Sequence, residues 1–114
     1  MIGFKLTESA KVYEKQLKAM QSIGLCVLEE GGIPLVIKEG ETLGLSLTER
    51  EAVVVYSSLS SLFRGVFSLS RGVTGSFKQS FELCGEMIDN SRNAVMSIEQ
   101  AKKHIIYSAA FGLN

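Results

Sequence analysis

The sequence predicts an α+β fold: an N-terminal helix, three short antiparallel strands, then a long C-terminal antiparallel helical hairpin. Three observations carry this expectation. Apolar residues between 7 and 22 recur at helical spacing; residues 23–47 change to a period of two around glycines; and a four–three spacing returns from Phe77 and persists to Ala109. At 114 residues a single domain over residues 1–114 is expected, with no internal repeat, low-complexity tract or linker.

The first helix is expected over 7–22. Thr7 stands at the N-cap with Glu8 in the first turn, where the helix dipole favours an anion. Leu6, Ala10, Tyr13, Leu17 and Met20 form the apolar stripe, Lys11, Glu14, Lys15 and Lys18 take the wet side, and Gly24 is placed to stop the helix. Residues 23–47 then read as a three-stranded antiparallel sheet. IGLCVLEE and IPLVIKEG flank Gly31-Gly32, a hairpin signal, because a glycine pair permits the positive φ of a tight turn. Pro34 lacks an amide hydrogen and belongs at a strand start or an edge. In TLGLSLT, Leu43, Leu45 and Leu47 alternate with Gly44 and Ser46, so one face of this third strand is buried.

A second helix is expected over 48–70. Thr48 and Glu51 have capping-box spacing, and Ala52, Val55, Leu59, Leu62, Val66 and Leu69 follow at three–four intervals, widened by Tyr56, Phe63 and Phe67. The opposite side is small: Ser57, Ser58, Ser61, Gly65 and Ser68. The LTERE start resembles helix-turn-helix regulators, but no turn and recognition helix follow it. Gly72 can end this helix, and Ser76 with Gln79 can cap the next.

The long helix, 76–110, organises the prediction. Phe77, Phe81, Cys84, Ile88, Ser91, Val95, Ile98, Lys102, Ile105 and Ala109 form a heptad seam. Unbroken, it would be a rod of roughly 52 Å against about 34 Å for the second helix. A domain of this size has a radius of gyration near 13 Å, so the excess should seek a second subunit. A homo-oligomer is therefore expected, with Ile88, Ser91, Val95, Ile98, Lys102, Ile105 and Ala109 at its interface. Ser91 and Lys102 either set the register or mark where the stripe drifts off-face. Gly85, Asp89-Asn90-Ser91 and the cap-like Ser97-Ile98-Glu99-Gln100 are the places where the rod would break and fold back on its own chain.

Twelve basic and twelve acidic residues cancel, which argues against a nucleic-acid binder working by bulk charge. Residues 29–51 are net acidic and 64–103 net basic, the distribution of a solvated surface or of head-to-tail complementarity. Residues 52–69 fall short of a membrane span and contain Arg64 and five serines, so a buried helix is expected, with peripheral membrane contact a lesser alternative. MIGFKLTESAKVYEK lacks the apolar run of a secretory signal. Cys26 and Cys84 lie in apolar surroundings without a CxxC spacing, which fits two free thiols in a reducing, cytoplasmic setting.

Chemistry is sparse. The one histidine, His104, has no Ser, Cys or carboxylate placed by the sequence to act with it, so an enzyme is not expected. Two isolated cysteines and one histidine show no metal-ligand spacing, and no cofactor is implied. The candidate ligand site is the loop around 70–78, where Arg64, Ser70, Arg71, Thr74, Ser76 and Lys78 could converge on an anion beside freed helix amides. Gly72-x-x-Gly75-x-x-Lys78 is not a P-loop, since its glycine spacing is wrong and a helix precedes it. The same residues serve equally as a helix–helix connection. Two functions follow as expectations. The first is a small non-enzymatic, homo-oligomeric regulator or inhibitor of bacterial or phage type, acting by protein–protein contact through the helical hairpin. The second is an oligomeric binding module for a small phosphorylated ligand or nucleotide at 70–78.

Overall fold

A computed structural model describes residues 1–78, 83–87 and 96–114. Among these, strands β1 (Gly3–Leu6), β2 (Val27–Leu28), β3 (Ile33–Glu39), β4 (Leu43–Leu47), β5 (Ala52–Tyr56) and β6 (Gly75–Phe77) form one mixed sheet in the order β2-β1-β3-β5-β4-β6. The first four in that order are mutually parallel, while β4 runs antiparallel to both β5 and β6. Helices α1 (Glu8–Lys11) and α2 (Glu14–Ser22) connect β1 to β2, α3 (Leu59–Ser70) follows β5, and α4 (Ile98–Ala110) closes the chain.

This corrects the expected fold class: the sheet is mixed and six-stranded, and the long helical hairpin does not form. Phe77, the first seam residue, lies in β6 opposite Leu43. Residues 83–87, including Gly85, are not helical, and α4 begins at a capping box in which Ser97 Oγ accepts from the Gln100 amide at 3.2 Å. Thirteen residues of α4 span about 20 Å, so the rod that motivated assembly is absent. The rest of the seam from Phe81 to Val95 lies outside the described residues, apart from Cys84.

Each earlier element changes for a physical reason. Leu6, expected in the first helix, ends β1, and the helix breaks at Val12-Tyr13. At the start of α1, Thr7 Oγ1 donates to the Leu35 carbonyl at 2.6 Å and Ser9 Oγ accepts from the Ile37 amide at 3.1 Å. Side chains thus satisfy the edge of β3 beyond the point where β1 stops. Gly31-Gly32 is not a hairpin turn, because β1 lies between β2 and β3. The glycines form a strap across β1 instead: a Cβ on Gly32 would lie 2.7 Å from the Gly3 carbonyl and the Phe4 carbonyl carbon. Pro34 sits at the start of β3, one residue before its ladder to β5 begins.

The expected 48–70 helix is half strand. Val53, Val54 and Val55 are consecutive β-branched residues, stiff at χ1 and suited to a pleated surface. Thr48 and Glu51 therefore close a β4–β5 hairpin, with the Thr48 amide donating to the Glu51 carbonyl at 2.9 Å. Helical geometry begins only at Ser58, where Ser58 and Ser61 form their own capping box.

One face of the sheet holds the core. Phe4, Leu35, Ile37, Leu43, Leu45, Ala52 and Val54 are buried against Leu17 of α2 and Leu62, Val66 and Leu69 of α3. Gly65 lets α3 settle onto β4 and β5, since a Cβ there would lie 2.9 Å from both Leu43 Cδ1 and Val54 Cγ1. Phe111, just beyond α4, meets Phe67 edge-on at 5.6 Å and draws the C-terminus onto α3. No described helix is long and apolar enough to cross a membrane.

Candidate functional site

The site begins with two neighbouring parallel strands. β3 and β5 end side by side, and open α/β sheets bind ligands outside the carboxyl ends of such strands. After β3 the chain turns through Glu41 and Thr42; after β5 it turns through Ser57 into α3. These turns, with Ser60, Ser61 and Arg64 of α3 and Phe77 and Lys78 at the end of β6, line a cavity of about 280 Å³. Leu43 contributes an apolar wall. The volume is at the small end of ligand pockets, suited to a small molecule and not to a macromolecular segment.

Serine hydroxyls organise the helix start. Ser61 Oγ accepts from the amides of Ser57 at 3.1 Å and Ser58 at 2.9 Å and donates to the Ser58 carbonyl at 2.7 Å, while Ser58 Oγ accepts from the Ser61 amide at 3.3 Å. The amides of Leu59 and Ser60 have no acceptor among the described residues. They carry the positive end of the α3 dipole toward the cavity. Arg64 stands one turn further along. Gly112, at φ 87°, lies against its aliphatic stem, so that a Cβ there would come within 2.8 Å of Arg64 Cδ. Neither Arg64 nor Lys78 forms an ion pair with a described residue. Glu41 is the one carboxylate in the lining, leaving a formal charge of +1 there.

The six residues expected to gather around 70–78 divide between the two ends of α3. Arg64 and Lys78 both line the cavity. Ser70 is fully buried at the far end of the helix, donating to the Phe67 carbonyl at 2.6 Å and reaching the Leu25 carbonyl at 3.3 Å. Arg71 stacks over the Phe67 ring at 5.0 Å and borders a separate hollow with Met1 and Ile2. Thr74 and Ser76 are exposed beside or within the edge strand β6, outside the cavity lining. Ser57, Ser60, Ser61, Glu41 and Thr42 were missing from the expectation. The signal for the serines was available: four apolar strand formers followed by Ser57-Ser58-x-x-Ser61 spell a strand, a turn and a capped helix.

Of the expected interface residues, Ile98, Lys102 and Ile105 are exposed on α4 and Ala109 is half-buried, while Ile88, Ser91 and Val95 lie outside the described residues.

His104 does acquire a carboxylate neighbour. Its Nε2 meets Glu86 Oε1, which also accepts from Ser108 Oγ at 3.3 Å. Cys84 borders the same hollow. Histidine and hydroxyl both converge on the carboxylate, so the imidazole does not bridge a nucleophile and an acid as a hydrolytic triad requires. This cluster fastens residues 84–86 to α4. No group of three His, Cys, Asp or Glu suited to a metal ion occurs among the described residues. Comparison with family models, with curated proteins and with solved structures returned no match.

Proposed function

We propose that this chain is a non-enzymatic binding module for a small phosphorylated ligand, held in the cavity between the carboxyl ends of β3 and β5 and the start of α3. One observation carries the reading: Arg64 and Lys78 border this cavity without an ion-pair partner among the described residues, beside the serine-rich start of a helix. Two cations, the dipole and the hydroxyls of Ser57 and Ser60 together favour an anion with several acceptor oxygens. In the groove along α2, Lys18 and Lys5 are paired with Glu14 and Glu30, which leaves Lys11 as its one cation without an ion pair among the described residues, against two in the cavity. Glu41 would favour ligands that present a hydroxyl or amine next to the anionic group. A cytoplasmic setting accords with a ligand of this kind.

The test is calorimetric titration and thermal shift with inorganic phosphate, phosphoserine and a nucleoside monophosphate. Saturable stabilisation by at least one of them is expected. Arg64→Ala and Lys78→Ala should each weaken binding about tenfold or more, the scale of a lost hydrogen bond to a charged group. Arg71→Ala, at the other end of α3, should leave it unchanged. Binding that survives the first two substitutions, or that fails only with Arg71→Ala, would refute the site.

A further inference from the structure

Three charged residues line the cavity at the start of α3: Glu41 from the turn after β3, Arg64 from α3 and Lys78 from the end of β6. Their placement follows from the sheet. Leu43 lies opposite Phe77 in the antiparallel pairing of β4 with β6, so the residues just before β4 and just after β6 share one end of the sheet. α3 settles against Leu43 through Gly65, the residue next to Arg64. Glu41 nevertheless forms no ion pair with Arg64, with Lys78 or with any other described residue. The carboxylate and the two cations therefore stand apart around one cavity. All three residues are exposed, so each charge is hydrated while the cavity is empty of ligand.

A ligand that enters displaces water from all three. Two cations compensate a phosphate dianion, but Glu41 is then left partly desolvated beside an anion. Positive charge on the ligand offsets that cost, whereas a hydroxyl donates one hydrogen bond and leaves the carboxylate uncompensated. Resting on the reading of the cavity as a phosphate site, we propose that its ligands are zwitterions. They are phosphomonoesters whose phosphate faces Arg64 and Lys78 while an ammonium group, a short carbon chain away, faces Glu41. Leu43 and Phe77 give that chain an apolar wall, and a volume of about 280 Å³ accommodates a molecule of this size. Glu41 is then the specificity-determining residue. It repels phosphates that lack the amine and attracts those that carry it.

Calorimetric titration of the full chain at low salt tests this with two matched pairs: aminoethyl against hydroxyethyl phosphate, and aminopropyl against hydroxypropyl phosphate. Each pair exchanges only an ammonium for a hydroxyl, and at about pH 8 the phosphates are dianions and the amines charged. The amine of at least one pair should bind about fivefold more tightly, the scale of a solvent-exposed ion pair. That preference should shrink as salt is added. Glu41→Gln, an isosteric change at an exposed position, should bring the ratio to about one. Glu39→Gln removes an exposed carboxylate outside the lining and should leave the preference intact. Equal binding within both pairs overturns the proposal, and Arg64→Ala weakening both members would then leave the phosphate site standing. A preference that survives Glu41→Gln, or that Glu39→Gln abolishes as well, also overturns it. If none of the four binds the proposal falls, and if inorganic phosphate fails too the phosphate site falls with it.

Discussion

The hydroxyls of Tyr13 and Tyr56 meet at 2.9 Å, with their rings edge to face at 6.1 Å. Tyr13 lies at the break between α1 and α2, and Tyr56 is the last residue of β5, immediately before the serine turn. The pair ties the first crossover to the strand end from which the cavity is built.

Its hydrogen bond to Tyr13 pushes the Tyr56 phenol up to about 12, with burial and nearby charge adding to the shift. Unfolding returns the group to its ordinary value near 10. The unfolded chain therefore loses this proton first, and the stabilisation present below pH 10 is lost as pH rises from about 10 to about 12. Tyr13→Phe should bring the Tyr56 titration back toward 10. Ultraviolet titration of tyrosinate checks this, and an unmoved high-pH phase in the variant would contradict it.

Gly32→Ala and Gly31→Ala should separate sharply. A Cβ at Gly32 meets backbone atoms of Gly3 and Phe4 at 2.7 Å, whereas Gly31 has open space within 4 Å. The first substitution should cost more than about 2 kcal/mol and the second less than about 0.5 kcal/mol. Midpoints of urea unfolding measure both. Equal effects would mean that the strap does not cross β1 closely.

Gly112 also lines the cavity, and Gly112→Ala alters it without removing a polar group. The positive φ penalises any Cβ, and the contact with Arg64 forces the guanidinium stem to move. A stability loss of about 1 kcal/mol is expected. Weaker binding of whichever phosphorylated ligand the wild type accepts should accompany it. Calorimetry on this variant beside Gly32→Ala, which loses stability away from the cavity, tells a positional effect on Arg64 from a general loss of stability.

The two thiols should differ in reactivity. Burial pushes Cys26 up to about 11, and its Sγ lies 3.5 Å from the Leu17 carbonyl, while Cys84 is half-buried beside α4. At pH 8 a disulfide reagent should modify Cys84 first, and Cys26 only at the rate of unfolding. Mass spectrometry of the labelled peptides decides the order.

Much of the site was hidden because pairing, not periodicity, creates it. Ser57 and Ser61 were readable as small residues on a helix, but they line a cavity only because Val53 to Val55 form a strand beside β3. Arg64 and Lys78 were identified from charge and position. Ser70 and Arg71 were grouped with them because the connection after α3 had been expected to fold back at that end of the helix. Glu86 lies 18 residues before His104, and no local pattern links the two.

What the sequence determined by itself is what acts within a few residues. The Ser97–Gln100 cap, the left-handed glycines at 24 and 72 that end α2 and α3, and the inward Leu43 and Leu45 each satisfy neighbours along the chain. Tertiary structure alone decided the strand order and the insertion of β1 between β2 and β3, and it settled the strand at 52–56 that the β-branched run favours. A stretch such as Ala-Val-Val-Val-Tyr can form either a helical stripe or a buried strand. The ladder to β3 settles which, because it supplies backbone partners and covers the alternate side chains at once.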